Sequence, residues 1–145
     1  MTRGALILWL AAGVASPAFA QPSMESIRVA VVQSDPEINV EIHGGFTLRA
    51  LPGGDPMEEG RRLRSLSVRA VPDGLFLGDQ LVPLAGVRLE PSHDATISLN
   101  GMHLRGTLEI IRQKDLTLLV INHVSLEDYL RGVLSQEAPD YWPPE

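Results

Sequence analysis

The chain of 145 residues contains no cysteine. Disulfides, cysteine-based metal sites and lipid anchoring through an N-terminal cysteine are excluded together, so stability must come from a packed core. Any excess of positive charge is also missing: 12 Lys and Arg stand against 18 Asp and Glu, for a net charge of −6. Such a surface does not hold a polyanion, which disfavours nucleic acid as a partner. There is no internal repeat, no low-complexity tract and no sign of a second domain, which leaves a length suited to one small domain. No serine sits in a G-x-S-x-G elbow, and a Ser/His/Asp triad is unsupported. The four histidines lack metal-ligand spacing. His43 belongs to a turn, His93 to a Pro-Ser-His-Asp loop beside Asp94, and His103 and His123 fall on or beside different strands. They read as surface or turn residues, with no metal and no cofactor expected.

The N-terminus has the organisation of a secretory signal peptide: Arg3, then the apolar run Ala5–Ala15, then Ala18-Phe19-Ala20 as a small-residue cleavage site. The apolar run is too short to span a bilayer, and a single arginine gives no twin-arginine signal. Residues 1–20 are therefore expected to be removed on export to the periplasm, cell envelope or exterior. Residues 21–145 would remain, without a membrane span, and losing Arg3 would take the charge from −6 to −7.

Ile27–Val32 is a continuous β-branched run with the composition of a buried strand. Asn39–Ile42 and Phe46–Leu51 alternate and predict a hairpin turned through His43-Gly44-Gly45. Pro52–Gly60, rich in Gly, Pro and acid, predicts a surface loop. Arg64–Val71 alternates, Pro72-Asp73-Gly74 turns, and Leu75–Leu89 offers short strands broken at Gly78-Asp79 and Gly86. Ala95–Leu99 and Met102–Ile111 flank Asn100-Gly101, the clearest hairpin signal, and place Arg105 within a strand. Leu116–Val120 is one more strand. The expectation is a β-rich α+β fold of roughly eight or nine short antiparallel strands followed by one packed helix.

That helix begins at Ser125, an N-cap with Asp128 three residues on, and cannot run far past Ala138 because Pro139 follows. Leu126, Tyr129, Leu130, Val133 and Leu134 form an apolar stripe predicted to face a core, and Glu137 falls in the middle of it. A carboxyl group on an apolar face near the negative end of a helix dipole is pushed toward its protonated form, the state a general acid needs. The alternatives are that the helix frays and Glu137 meets water, or that an arginine such as Arg105 pairs with it. Tyr141 and Trp142 either plug the core or offer flat faces to a sugar. Arg105 is either a polar face residue or a group that positions substrate or Glu137.

The run Val124–Pro143, with Leu126, Asp128, Tyr129, Leu130, Gly132, Val133, Glu137, Pro139 and Trp142 in place, resembles the SpoIID/LytB family of cell-wall proteins. Ala138 and Leu134 are mild departures from its pattern. Upstream, Asn100, Gly101, Arg105 and Gly106 are similar to the family's N-G-x-x-Y-R-G stretch, with Leu104 where an aromatic residue is common. In the SpoIID branch the resemblance implies a lytic transglycosylase acting on peptidoglycan strands that lack stem peptides. Glu137 would be the catalytic residue, while Trp142, Tyr141 and Arg105 are candidate substrate-binding residues on the reading of their side chains above. The LytB branch implies instead a non-catalytic wall module that enhances an amidase. The chain reads as the N-terminal portion of such a domain, because the family continues past W-P into an alanine-rich helix where this sequence has Glu145. On that reading an inactive fragment is a third expectation.

Overall fold

Alternating apolar and polar residues dominate the chain, and the computed structural model, which describes residues 25–137, turns them into strands. In order these are β1 (Ser26–Asp35), β2 (Glu37–Leu51), β3 (Pro56–Val71), β4 (Gly74–Leu77), β5 (Gln80–Val82), β6 (Gly86–Pro91), β7 (Thr96–Leu99), β8 (Met102–Leu104), β9 (Thr107–Arg112) and β10 (Leu118–Ser125). The helix α1 (Leu126–Glu137) follows directly. Every strand pairing is antiparallel, in the order β1-β10-β9-β6-β2-β3-β4-β5, and β7 branches off β2 to carry β8. This is the expected β-rich α+β arrangement.

One face of the sheet is apolar. Ile38, Val40 and Ile42 of β2 are at most 1% exposed, and they join Leu75, Leu89, Ile97, Leu108, Ile110, Leu118 and Val120 in a single buried cluster. Because Val82 of β5 and Leu118 of β10 belong to that cluster from distant places in the strand order, the sheet must curl around it. Each such side chain is worth roughly 1.5–3 kcal/mol when fully buried.

Four segments depart from the sequence reading. Asn39–Leu51 is not a hairpin but one long strand. At Gly44-Gly45 β2 bulges and changes partner, pairing β7 through Val40–His43 and β6 through Phe46–Leu51. Gly44 has φ +126°, and a Cβ there would lie 2.7 Å from that of Ala95. The Pro52–Gly60 loop shrinks to the turn between β2 and β3. Pro56, Glu58 and Glu59 are exposed, yet β2 supplies them with ladder partners across a bulge at Met57, so polarity did not preclude a strand. β1 is an edge strand paired with β10, and its apolar run is only half-buried. Met102–Ile111 breaks at Arg105-Gly106, where the chain leaves β7's partner β8 to become β9.

Candidate functional site

The junction of β10 and α1 organises the site. Ser125 ends the strand and caps the helix: the Asp128 amide donates to Ser125 Oγ at 3.1 Å, and Ser125 Oγ donates to Asp128 Oδ2 at 2.9 Å. Glu127 and Asp128 put negative charge in the first turn, where the helix dipole favours it. The Leu126 amide also donates to the Glu25 carbonyl at 2.9 Å, tying the helix start to the edge strand. Arg105 lies at the corner between β8 and β9 rather than within a strand. Its Nη1 approaches Asp128 Oδ1 at 3.4 Å, so among the described residues its charged partner is Asp128. The corner is tight: Gly106 has φ +89°, and a Cβ there would run into the carbonyl oxygen of His123.

Beneath the helix is an open cleft of about 430 Å³, within the range of small-ligand sites. Met102, His103, Leu104 and Arg105 form one wall, Asn122 and Val124 of β10 the floor, and Asp128, Tyr129, Arg131, Gly132 and Val133 of α1 the other wall. Asn122 is only 6% exposed, and its Oδ1 is closed to water and has no hydrogen-bond partner. The helix does not bury its whole apolar stripe as expected. Leu126, Tyr129 and Leu130 are 36%, 39% and 48% exposed; α1 leaves directly from the end of β10, which is the strand it chiefly packs against. Glu137 is the last residue of α1. Its side chain lies outside the described residues, as do Tyr141, Trp142 and the whole of segment 1–20.

A second polar constellation occupies the face opposite the core. The pleat that buries Leu108 and Ile110 puts Glu109 on the other side, where it is 7% exposed. It accepts hydrogen bonds from Arg88 and, at 3.3 Å, from Arg28. His123 Nε2 stands 2.9 Å from Glu109 Oε2 and completes the group of cationic and polar contacts around the carboxylate. Burial alone would push the Glu109 carboxyl up; the hydrogen bonds from Arg88 and the contact with His123 outweigh it and hold the group at about 2. His123 is thus part of a half-buried ion cluster rather than a surface or turn residue. His43 lies within β2 rather than at a turn, 3.9 Å from Glu41, and His93 stays in an exposed turn beside Asp94. Among the described residues no three His, Asp or Glu gather as a metal would require.

Residues 114–145 match the family model SpoIID, described as stage II sporulation protein. The matched stretch contains β10 and α1, so the part of the chain similar to that family supplies the floor and the helical wall of the cleft, while the wall from Met102 to Arg105 precedes it. The chain is 35% identical to an uncharacterized protein of Chlamydia pneumoniae over 69 residues, 47% of this chain and 25% of that protein. It is 26% identical to one of Chlamydia muridarum over 110 residues, 75% of this chain and 38% of the relative. A third uncharacterized protein, from Brachyspira hyodysenteriae, is 42% identical over 72 residues, 50% of this chain and 19% of its own length. The chain therefore spans well under half of each of these relatives. No solved structure matches it.

The cleft was only partly visible from sequence. Arg105 is brought to it, but Asn122, Tyr129 and Met102 were not singled out as cleft residues. One signal was available for Asn122: it shares its strand parity with Val120 and Val124, where an aliphatic residue is expected.

Proposed function

We propose that this chain is part of an exported peptidoglycan-remodelling protein whose cleft takes glycan strands lacking stem peptides, with Glu137 as the single acid and base of a lytic transglycosylase. The observation that supports this reading is that the stretch matching the SpoIID model forms the floor and one wall of the cleft, with Glu137 one helical turn beyond the cleft residue Val133. In the proposed reaction the Glu137 carboxyl protonates the glycosidic oxygen as the bond to C1 breaks. The resulting carboxylate then removes the proton from the same sugar's 6-hydroxyl as O6 attacks C1, closing a 1,6-anhydro ring without water. A hydrolase would need a second carboxylate at a set separation. Asp128 is the one carboxylate among the described lining residues, and it is already engaged by Ser125 and Arg105. Tyr141 and Trp142 are proposed to give the sugar flat apolar faces, and Arg105 to hold its polar edge.

Glu137→Gln keeps the shape of the side chain and removes the proton donor. Release of anhydro-sugar products from denuded glycan by the full-length protein is expected to fall by about a hundredfold or more, with glycan binding retained. Normal release by Glu137→Gln would refute the assignment and favour a non-catalytic wall module or amidase enhancer. Export is checked separately: the mature protein is expected to begin at Gln21, and recovery only of intact Met1 from the cytoplasm would refute it.

A further inference from the structure

We infer that this chain forms a symmetric dimer by pairing the free edge of β3 with the same edge of a second copy, antiparallel and in a register centred on Gly60. β3 pairs β2 from Pro56 to Arg69, but on its other side β4 reaches only Val68–Val71. The Gly78 amide, which donates to the Ser67 carbonyl at 2.7 Å, is the last backbone contact on that side among the described residues. From Pro56 to Leu66 the strand therefore presents an open row of amides and carbonyls, a ready template for another strand. Burial agrees. Glu58, Glu59, Arg61, Arg62, Arg64 and Ser65 are all exposed, so among the described residues no helix or loop covers this edge.

The charge order selects the occupant. From Met57 to Leu63 the edge reads M-E-E-G-R-R-L, two acids and two bases in mirror order about a glycine. An edge guarded by charge of one sign repels a copy of itself. This one attracts it. Antiparallel self-pairing about Gly60 sets Glu58 opposite Arg62 and Glu59 opposite Arg61 of the second copy, and the symmetry axis repeats both pairs. One step further out, Met57, 39% exposed, comes opposite Leu63. Other registers lose this match: an axis at Arg61 sets that arginine on itself, an axis at Glu59 does so for a glutamate, and a parallel pair in register sets every charge against its like. Within the chain these charges are uncommitted. Glu58, Arg61 and Arg62 have no hydrogen bond or ion pair among the described residues, and Glu59 meets only the more distant charge of Arg49, which already holds Glu90 at 2.8 Å. Exposed ion pairs are individually weak and one strand-to-strand contact is small, so the dimer is in exchange with monomer and sensitive to salt.

The test is sedimentation equilibrium of the purified full chain from micromolar to submillimolar concentration. Wild type is expected to become dimeric at the upper end in low salt, and its dissociation constant to weaken about tenfold or more in about 0.5 M sodium chloride. Two double variants reverse one half of the motif each: Glu58→Arg with Glu59→Arg, and Arg61→Glu with Arg62→Glu. All four positions are exposed, so circular dichroism is expected to match wild type. Each variant alone is expected to stay monomeric, since like charges then face one another, and an equimolar mixture of the two is expected to dimerise again. Amide exchange in the wild type is expected to slow within Glu58–Arg62 as concentration rises. A wild type that stays monomeric would overturn the inference and leave the charges as a guard of the edge. So would a mixture that stays monomeric, or slowing of exchange confined to other segments. Dimers that persist in both separate variants would also overturn it, and would point instead to the exposed Leu126, Tyr129 and Leu130 of α1.

Discussion

Replacing Glu109 by Gln removes the negative centre of the cluster on the back of the sheet and leaves Arg28, Arg88 and His123 without it. The wild-type carboxyl is held at about 2 against an ordinary 4.5, and a displacement of that size corresponds to about 3 kcal/mol of preference for the charged form in the folded state. Because the Arg28 and Arg88 side chains are 60% and 37% exposed and so partly screened, a net contribution of about 2–3 kcal/mol is the working figure. Its pH dependence has a definite sign. The folded value lies below the unfolded one, so this stabilisation is fully present above 4.5 and is lost as the pH falls through about 2. Urea unfolding of wild type and Glu109→Gln, followed by circular dichroism, is expected to show the variant about 2–3 kcal/mol less stable at pH 7. The two should converge near pH 2. A variant as stable as wild type at pH 7, or a gap that persists undiminished at pH 2, would refute the reasoning.

Other outcomes follow from the cleft. Ser125→Ala removes the cap of α1 and is expected to cost about 1 kcal/mol, with faster amide exchange in the first helical turn. Gly106→Ala forces a side chain into the positive-φ region and against the His123 carbonyl. The conformation alone costs about 1–3 kcal/mol, so a clear drop in the thermal midpoint is expected.

The strands were legible wherever one face meets the core and the other meets water, as along β7 and the C-terminal half of β3, because alternation then reports burial directly; β10 was expected at Leu116–Val120 but runs from Leu118 to Ser125, with Leu116 in a positive-φ turn before it. It failed where backbone pairing, not side-chain burial, holds the strand. Met57–Glu59 are extended only because β2 runs beside them, and no local signal carries that. Gly44-Gly45 was correctly seen as special, but the same pair that could close a hairpin can also bulge a continuous strand, and only the positions of β6 and β7 decide between them. For the site, the cap at Ser125 was readable because its partners are three residues apart. The pairing of Arg105 with Asp128 was not, because it depends on a corner at Gly106 that breaks an alternating run. The ion cluster around Glu109 joins four strands, and a register one residue out would have dispersed it.

The change of partner along β2 makes the molecule a closed circuit. From the bulge, one route runs through β7 to β8, the outer wall of the cleft; the other runs through β6 and β9 to β10, its floor. The circuit closes at Arg105-Gly106, where β8 continues into β9. The distance between wall and floor is consequently set by two articulations at once, one at the rim and one at the far end of the loop. A side chain introduced at Gly44, pressing on Ala95 just before β7, would act on the aperture from a position that lines no part of it. The width of the mouth is thus a property of the whole ring of strands, open to change at positions that line no part of the cleft.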